Sequence, residues 1–351
     1  MIHSTALPGD GWLRDLSNLQ AGSVRSMPDE QGTLQNPHIS VVTPTLRRSQ
    51  EVSDLIHNLS CQTRLPYELI LVDGAPASDV DTEKVVRERK APFDIRYVRQ
   101  TGGTAIQRNT GIDLARGDFI AFIDDDIRLE PDFFELILGA FQADHECHIG
   151  GITGYILNQH LDPATSVRWR WNRLLRLYST YEPGRYDFLT GYPINRYLQP
   201  LHQDLREVDF MGAGCAVWRR DVLETGLRFS RFFTDYGVLE DAHFALKAGR
   251  EWRLLEHGAA RCHHLKSTAT RESSRLVARK TAINYRYVFV DIVPERTLRQ
   301  EIRFWYVQLV DLLRFFLYAL VHGGKSSWAS VLGKAEGILA AFSVRAEEKI
   351  P

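Results

Sequence analysis

Three consecutive aspartates, Asp124 to Asp126, directly follow the segment 118–123 (DFIAFI). A short segment this rich in Ile and Phe is typical of a buried strand. Adjacent carboxylates at the end of such a strand repel one another, and each is costly to dehydrate. A divalent cation removes this cost, because hard cations prefer carboxylate oxygens. The triplet therefore predicts a metal site at the carboxyl end of a strand. The alternative is a solvated acidic turn that caps a helix starting near Pro131.

Further carboxylates occupy positions that packing does not explain. Asp73 ends the segment 68–73 (ELILVD), Asp209 lies in a glycine-containing segment, and Glu240 and Asp241 begin a helical segment. In open α/β sheets, the carboxyl ends of the strands form the edge at which ligands bind. We therefore expect these carboxylates to converge with the triplet at one edge of a sheet.

The segments that would position these carboxylates alternate between strand and helix patterns. Strands are predicted at 38–44, 68–73, 94–98, 118–123, 149–157, within 208–218 and near 253–255. Helices are predicted at 52–59, at 104–115, after Pro131 and at 240–248. A run of strand–helix units favours an α/β fold with a mainly parallel sheet and helices on both faces.

The chain divides into three predicted parts. Residues 1–36 have little periodicity and are expected to form an irregular N-terminal arm. Residues 37–270 hold the strand–helix units, and residues 271–351 are expected to form a helical C-terminal extension. One face of its longest helix is apolar and consists of Ile302, Trp305, Tyr306, Leu309, Leu313, Phe316, Leu317 and Leu320.

Composition limits the class of protein. The 351 residues carry a net charge of −1, with 44% hydrophobic and 25% charged residues, which is typical of a soluble globular protein and gives no support for nucleic-acid binding. The four cysteines form no CxxC pair, so neither a zinc cluster nor a disulfide framework is expected. The first ten residues do not resemble a signal peptide, and no uncharged apolar run reaches eighteen residues, so we expect a cytoplasmic protein without a spanning helix.

Six short motifs occur in one order along the chain: 40–45 (SVVTPT), 71–74 (LVDG), 108–112 (RNTGI), 121–126 (AFIDDD), 212–220 (GAGCAVWRR) and 239–241 (LED). Each is weak alone, but in this order the chain resembles the family 2 glycosyltransferases, which have the GT-A fold. The resemblance implies an inverting sugar transfer from a nucleotide-sugar donor, assisted by Mg²⁺ or Mn²⁺. The QxxRW motif of processive members is missing after the sixth motif, so transfer of a single sugar is expected.

By resemblance, the donor-binding residues are Thr43, Pro44, Asp73, Arg108, Asp124 and Asp125. Asp73 would hydrogen-bond the nucleobase; its alternative is to fix the turn to the next helix. Arg108 would pair with a phosphate or, in a structural ion pair, with the triplet. Asp124 and Asp126 form the DxD motif, in which the middle residue, Asp125, is expected to contribute least.

The metal ligands expected from the resemblance are Asp126, Asp124 and His264. His264 begins the segment 264–267 (HLKS), which fits the spacing of an HxxS motif, and Lys266 would contact a phosphate. The alternative is a structural histidine, and the choice between His263 and His264 is open.

Asp241 matches the catalytic base of the family, a carboxylate that accepts the proton of the attacking acceptor hydroxyl. Glu240 would support this base or bind the acceptor. Gly214 and Trp218 are also expected on the acceptor side. For Glu240 and Asp241 the alternative is simple capping of a helix N-terminus.

Two segments that follow the triplet suggest a contact surface. Residues 167–176 (VRWRWNRLLR) suit sugar stacking, anionic groups or a lipid surface, or else form an amphipathic helix packed on the sheet. The helix 301–322 is apolar on nearly all sides, as buried, dimeric or membrane-contacting helices are, although Asp311 and Arg314 oppose membrane spanning. Peripheral contact with the inner face of a membrane and a homo-oligomer both remain open.

The leading hypothesis is a non-processive transferase that moves one sugar from a nucleotide-sugar, with a UDP-sugar favoured, to a hydroxyl of a glycan or lipid-linked acceptor. The alternative is a non-catalytic nucleotide-sugar binding protein with the same fold. A metal-dependent phosphohydrolase would need more His or carboxylate ligands around two metals, and only the pair His263 and His264 hints at them.

Overall fold

The computed structural model describes residues 37–233, 237–265 and 273–346. Its strands are β1 (Ile39–Thr45), β2 (Glu68–Asp73), β3 (Asp94–Arg99), β4 (Phe119–Ile123), β5 (Ile127–Leu129), β6 (Ile149–Ile156), β7 (Tyr186–Asp187), β8 (Tyr192–Pro193), β9 (Leu205–Glu207), β10 (Cys215–Arg219) and β11 (Arg253–His264). Its helices are α1 (Ser49–Ser60), α2 (Asp81–Glu88), α3 (Thr104–Leu114), α4 (Phe133–Gln142), α5 (Val167–Leu174), α6 (Arg220–Glu224), α7 (Glu240–Ala248), α8 (Ser274–Ile292), α9 (Leu298–His322) and α10 (Lys325–Ala341).

The central sheet has the order β3-β2-β1-β4-β10-β6-β11-β5, with β9 also paired to β11. Strands β1 to β4 are parallel, and β6 pairs with β11 in the same sense. Strand β10 runs antiparallel between β4 and β6, and β5 and β9 are antiparallel to β11. The carboxyl ends of β2 and β4 therefore lie on one edge, as the sequence predicted.

Apolar side chains cover both faces of the sheet. Within β1, Val41 packs into one core and Val42 into the other, because successive side chains of a strand point to opposite faces. Helices α1 and α4 cover the Val41 face, and α3, α7, α8 and α9 contribute to the core on the Val42 face. The expected α/β fold with helices on both faces and a helical C-terminal part is confirmed.

Two strands differ from their predicted bounds by more than one residue at an end. The strand predicted within 208–218 is confined to β10, because Gly212 and Gly214 belong to a loop before it. The strand predicted near 253–255 continues to His264 as β11, which is paired first with β6 and β9 and then with β5. His263 and His264 therefore end this strand instead of following it.

Helix α3 lies unusually close to the sheet. A Cβ at Gly111 would stand 2.2 Å from Cγ1 of Val42, so only glycine permits this approach. Gly102 and Gly103, with φ of 113° and 93°, make the turn that enters the helix. The first turns of α3 are thus fixed against β1, which determines where Arg108 lies.

The C-terminal extension consists of α8, α9 and α10 in the described residues. Helix α9 is long and apolar enough to cross a membrane by length and composition, although Asp311 and Arg314 interrupt its uncharged sequence. The predicted arm 1–36 and the boundary at 270 lie outside the described residues, so these domain limits stay predictions.

Candidate active site

Arg108 joins the two acidic motifs. Its Nη2 donates to Asp124 Oδ1 at 2.9 Å, its Nη1 donates to Glu240 Oε1, and its guanidinium lies 5.5 Å from the ring of Phe229. Arg108 is only 5% exposed. Burial alone would lower its pKa, but the charges of Asp124, Glu240 and Asp241 outweigh burial and raise the pKa above its ordinary value. The ion pair with the triplet, foreseen as the alternative for Arg108, is what the structure shows.

Glu240 carries a buried carboxyl group whose burial is only partly compensated by hydrogen bonds. Oε1 accepts from Thr104 Oγ1 at 2.6 Å and from Arg108, whereas Oε2 has no hydrogen-bond partner among the described residues. Burial raises the pKa of Glu240 from 4.5 to about 7, and Asp241 adds to this increase, against the lowering effects of Arg108 and Thr104. Glu240 is therefore buried beside Asp241, and its role in supporting the base or binding the acceptor stays a prediction.

Asp241 occupies the first turn of α7 and is partly exposed. The backbone N–H of Ala213 donates to Asp241 Oδ2 at 3.2 Å, and the N–H of Ala242 donates to Oδ1 at 2.8 Å. These donors fix the carboxylate, while a helix N-terminus favours its negative charge. An oriented and partly exposed carboxylate has the properties that a general base requires.

The loop before β10 separates Asp241 from Asp124. A Cβ at Gly212 would stand 3.5 Å from Asp241 Oδ2, and a Cβ at Gly214 would stand 3.0 Å from Asp124 Oδ2. The backbone of the loop also accepts a hydrogen bond at Gly214 O from Asp124 N, at 3.1 Å. The two carboxylates therefore lie on either side of this loop, and Gly214 leaves the space that Asp124 needs.

The triplet at the end of β4 sends its three side chains to different partners. Asp125 is 2% exposed and accepts from Thr45 Oγ1 at 2.7 Å and Arg48 Nη1 at 2.8 Å. Burial raises the pKa of Asp125 to about 6 against the opposing charge of Arg48. Asp124 faces Arg108, and Asp126 faces a different neighbour. Asp125 is thus held inside the protein by Thr45 and Arg48, and its expected minor role stays a prediction.

Asp126 lies beside His264. Oδ1 of Asp126 is 3.2 Å from Nε2 of His264, and Oδ2 is 3.6 Å from Nη1 of Arg48. The other ring nitrogen of His264, Nδ1, is 2.5 Å from Nε2 of Gln159. If that amide donates to Nδ1, Nε2 carries the proton and directs it at Asp126. His263 is exposed, so the structure selects His264 as the histidine next to the triplet.

These residues offer part of a metal-binding set. The structure brings Asp126 and His264 together, but Asp124 turns to Arg108, and the described residues contain no group of three His, Cys, Asp or Glu side chains that could hold a metal ion. Mg²⁺ and Mn²⁺ are commonly held by few protein ligands together with substrate phosphates and water. The donor set fits such a cation only if the substrate completes it. Lys266, predicted to contact a phosphate, lies outside the described residues.

The predicted nucleobase side is occupied by contacts within the protein. Asp73 is 1% exposed; Oδ1 accepts from Ala75 N and Oδ2 from Tyr97 Oη, each at 2.8 Å. Thr43 Oγ1 donates to the carbonyl of Ile123 at 2.7 Å, and both Thr43 and Pro44 are buried. The structure therefore shows the turn-fixing role for Asp73 and places Thr43 and Pro44 within the sheet. Direct nucleobase contact by Asp73 stays a prediction.

Two predicted residues lie away from the site. Trp218 is 2% exposed, and its ring packs edge-on against Phe244 in the core, with ring centroids 4.9 Å apart. The acceptor role of Trp218 was therefore wrong, because the side chain points inward from β10. Asp209 accepts from Arg185 Nη1 at 3.0 Å and from Tyr186 N at 2.8 Å, so it stabilises a neighbouring loop instead of joining the triplet.

Sequence reasoning missed three polar neighbours of the triplet and of Asp241. Arg48 and Thr45 hold Asp125, and the buried Arg196 places Nη2 3.9 Å from a Cβ position at Gly212. The basic pair at 47–48, just past the first strand, was a usable signal, since strand ends meet at one edge. Nothing in the sequence marks Arg196, which reaches the site from a short 3-10 helix.

Family comparison agrees with this architecture. A family model described as "Glycosyl transferase family 2" matches residues 40–227, more than half of the chain. The fold and the arrangement of acidic motifs define a glycosyltransferase of the GT-A class. The chain belongs to glycosyl transferase family 2.

Curated relatives are similar over a limited segment. Hyaluronan synthase of Pasteurella multocida is 32% identical over 133 residues, which is 37% of this chain and 14% of that protein. TuaG of Bacillus subtilis strain 168, a glycosyltransferase named for teichuronic acid biosynthesis, is 28% identical over 125 residues, 34% of this chain and 48% of that protein. The chain thus matches less than half of the length of either relative.

Solved structures share the fold at low identity. The mannosyltransferase PcManGT from Pyrobaculum calidifontis, solved with GDP-Man and Mn²⁺, has a TM-score of 0.54 and 16% identity, covering 94% of this chain and 90% of its own. GalNAc-T7, solved with UDP, GalNAc and Mn²⁺, has a TM-score of 0.51 and 12% identity, covering 84% of this chain and 59% of its own. At these identities the likeness concerns the fold.

Proposed function

We propose that the protein is an inverting, metal-assisted glycosyltransferase that moves a single sugar from a nucleotide-sugar donor to an acceptor hydroxyl in polysaccharide biosynthesis. The observation that supports this most is the Arg108 bridge, which joins Asp124 of the triplet to Glu240, the neighbour of Asp241. Both acidic motifs thereby belong to one site. Support also comes from PcManGT and GalNAc-T7, which were solved with GDP-Man or UDP together with Mn²⁺.

In this proposal Asp241 accepts the proton of the acceptor hydroxyl as its oxygen attacks the anomeric carbon of the donor. The bond from that carbon to the diphosphate breaks, and the nucleoside diphosphate leaves with the electron pair. The backbone donors at Ala213 and Ala242 hold the Asp241 carboxylate in position for this transfer.

Asp126 and His264 would hold the metal, with Asp124 beside them, and a bound cation stabilises the negative charge of a diphosphate leaving group. Arg108 keeps Asp124 and Glu240 at a fixed separation. We propose a UDP-sugar as the donor and a glycan or lipid-linked intermediate as the acceptor, used in the cytoplasm at the inner face of a membrane.

The test compares Asp241→Asn with the wild-type protein. Release of nucleoside diphosphate in the presence of acceptor should fall at least about a hundredfold, because general bases contribute roughly 10²–10⁴ in rate. The rise in melting temperature with UDP and Mn²⁺ should persist, because Asp241 is not a donor ligand in this proposal. Asp81→Asn is the matched control: Asp81 is an exposed aspartate in the first turn of α2, and its loss should change neither property.

Full activity of Asp241→Asn would contradict the assignment of the base. Binding of nucleotide-sugars by the wild-type protein without turnover on any acceptor would instead support the alternative of a non-catalytic binding protein. A panel of nucleoside diphosphates and nucleotide-sugars with Mn²⁺ identifies the base, because only specific ligands raise the melting temperature by mass action.

A further inference from the structure

Helix α9 turns its apolar face outward. Half or more of each leucine side chain along this face is exposed, at 58%, 54%, 50% and 56% for Leu309, Leu313, Leu317 and Leu320. The opposite face, which includes Gln308, packs against the protein. A surface helix of a soluble protein normally buries its apolar stripe and exposes its polar one. Helix α9 departs from this arrangement because it carries apolar side chains on both faces: Phe304, Val307 and Ala319 are buried, and the leucines are exposed.

The outward face also lacks charge. Between 309 and 321 the charged residues are Asp311 and Arg314, and both face the protein: Arg314 Nη1 donates to Asp311 Oδ1 at 3.1 Å, and Arg314 Nη2 donates to the Asn172 side chain of α5. Lys334 of α10 approaches Asp311 Oδ2 at 3.9 Å and donates to Gln308 Oε1 at 2.7 Å. Such a continuous uncharged apolar surface indicates a partner that is itself apolar.

A basic helix lies alongside this face. Helix α5 runs antiparallel to α9, since Arg303 donates to the carbonyl of Leu177, Tyr306 Oη donates to that of Leu175, and Arg314 reaches Asn172. The segment 167–176 contains no acidic residue, and its exposed side chains are Val167, Arg168, Arg170, Trp171, Arg173, Leu174, Leu175 and Arg176. Exposed apolar groups and exposed cationic groups therefore belong to two segments that contact each other.

We propose that these exposed side chains of 167–176 and 309–321, here called the α5–α9 surface, bind the surface of an anionic phospholipid membrane. Leucine and aromatic side chains would enter the acyl boundary, and the arginines would contact phosphate headgroups, as in interfacial helices. The helix lies along the membrane and does not cross it, because Gln308, Asp311 and Arg314 hold its other face to the protein.

Charge complementarity favours a membrane over a second copy of the chain. A two-fold contact through this surface would bring two sets of the four arginines of 167–176 towards each other, with no acidic residue in that segment to compensate them. Anionic headgroups supply the missing negative charge, at a gain of roughly fivefold in affinity for each arginine near the membrane surface.

A chain of contacts leads from the buried face of α5 towards Asp241. Trp169 of α5 packs with Ile194 and Leu198, and between them Arg196 extends to the loop at Gly212, beside Asp241. A membrane-bound protein would therefore hold its general base near the lipid headgroups. This part of the inference rests on the proposed function and assigns the acceptor to the lipid-linked class.

Vesicle sedimentation of the full chain tests the membrane contact without requiring catalysis. The wild-type protein should pellet with vesicles of equal phosphatidylcholine and phosphatidylglycerol and stay in the supernatant with phosphatidylcholine alone. A triple variant, Leu313→Ser, Leu317→Ser and Leu320→Ser, should lose at least about tenfold in affinity, because its exposed apolar area is reduced. The double variant Arg170→Glu and Arg173→Glu should lose binding to the anionic vesicles, together with the salt dependence of that binding.

A matched control places serine at three exposed leucines elsewhere, Leu65, Leu201 and Leu205, and should bind vesicles like the wild type. Asp241→Asn should also bind normally, so a catalytic failure is separable from a failure of docking. Wild-type protein that remains in the supernatant with anionic vesicles overturns the proposal. A second result would also overturn the proposal: the wild type is a dimer by light scattering, and the Leu313, Leu317 and Leu320 variant is a monomer that still binds vesicles like the wild type.

Discussion

The buried carboxyl of Glu240 allows a prediction whose sign and size follow from the structure. Glu240 is 4% exposed, and burial raises its pKa from 4.5 to about 7. Unfolding returns this pKa to its ordinary value. At a pH between these two pKa values, the folded protein holds a proton that the unfolded chain has released. The free energy of unfolding therefore decreases as the pH rises through this window.

One pKa unit corresponds to about 1.4 kcal/mol, so the window from 4.5 to about 7 is worth roughly 3 kcal/mol of unfolding free energy. Glutamine has nearly the same shape and does not ionise. The Glu240→Gln variant should therefore gain roughly 3 kcal/mol relative to the wild type between about pH 4.5 and pH 8. Urea denaturation at a series of pH values measures this difference.

Glu256→Gln provides a control of opposite sign. Glu256 is 3% exposed, and burial would raise its pKa, but hydrogen bonds from His202 and Arg196 outweigh burial and hold the pKa below its ordinary value. Its stabilisation is present above 4.5 and is lost as the pH falls through the folded pKa. The loss of unfolding free energy in Glu256→Gln should thus be largest near neutral pH. A pH-independent difference for Glu240→Gln, or one with the sign of the Glu256 variant, would refute the reasoning.

Three further outcomes are expected. Gly111→Ala should lower the free energy of unfolding by about 1–3 kcal/mol, because the new methyl group overlaps Val42. Gly139→Ala, with nothing within 4 Å of its Cβ position, should instead raise the free energy of unfolding by up to about 1 kcal/mol. Thermal denaturation distinguishes the two variants. Trp218→Ala should cost about 3–5 kcal/mol in urea denaturation, while Trp218→Phe should leave the KM for the acceptor unchanged, and a raised KM would restore its acceptor role. Chelation of divalent cations should abolish transfer and Mn²⁺ should restore it, whereas activity that survives chelation would contradict the metal proposal.

The positions of the acidic motifs could be predicted because each depends on a local pattern. Apolar segments that end in Asp73 and in the triplet predict strands, and the edge at which parallel strands end follows from the fold class. The partners of these residues could not be predicted. Arg108 contacts Glu240 from a distant part of the sequence. The two roles predicted for Arg108, pairing with a phosphate and forming a structural ion pair, are compatible with the same local sequence pattern.

The error at Trp218 has a different cause. The direction of a side chain in a strand alternates, so it depends on where the strand begins and which strands flank it. The prediction of a glycine-containing strand and loop within 208–218 did not fix where the strand begins and gave no information on the neighbours β4 and β6. The orientation of α9 could not be predicted either, because its apolar stripe gives no sign that it faces outward.

The order of the strands has a consequence for synthesis of the chain. Strands β1 to β4 emerge first and can pair with one another, but the other edge of β4 is covered by β10, which emerges only after the segment 124–214. Until then β4, one of the most apolar strands, has an unpaired edge of the kind that promotes aggregation. Asp126 likewise meets His264 only when β11 has been made. A nascent chain thus completes β1 to β4 well before β10, the strand that covers the open edge of β4, exists.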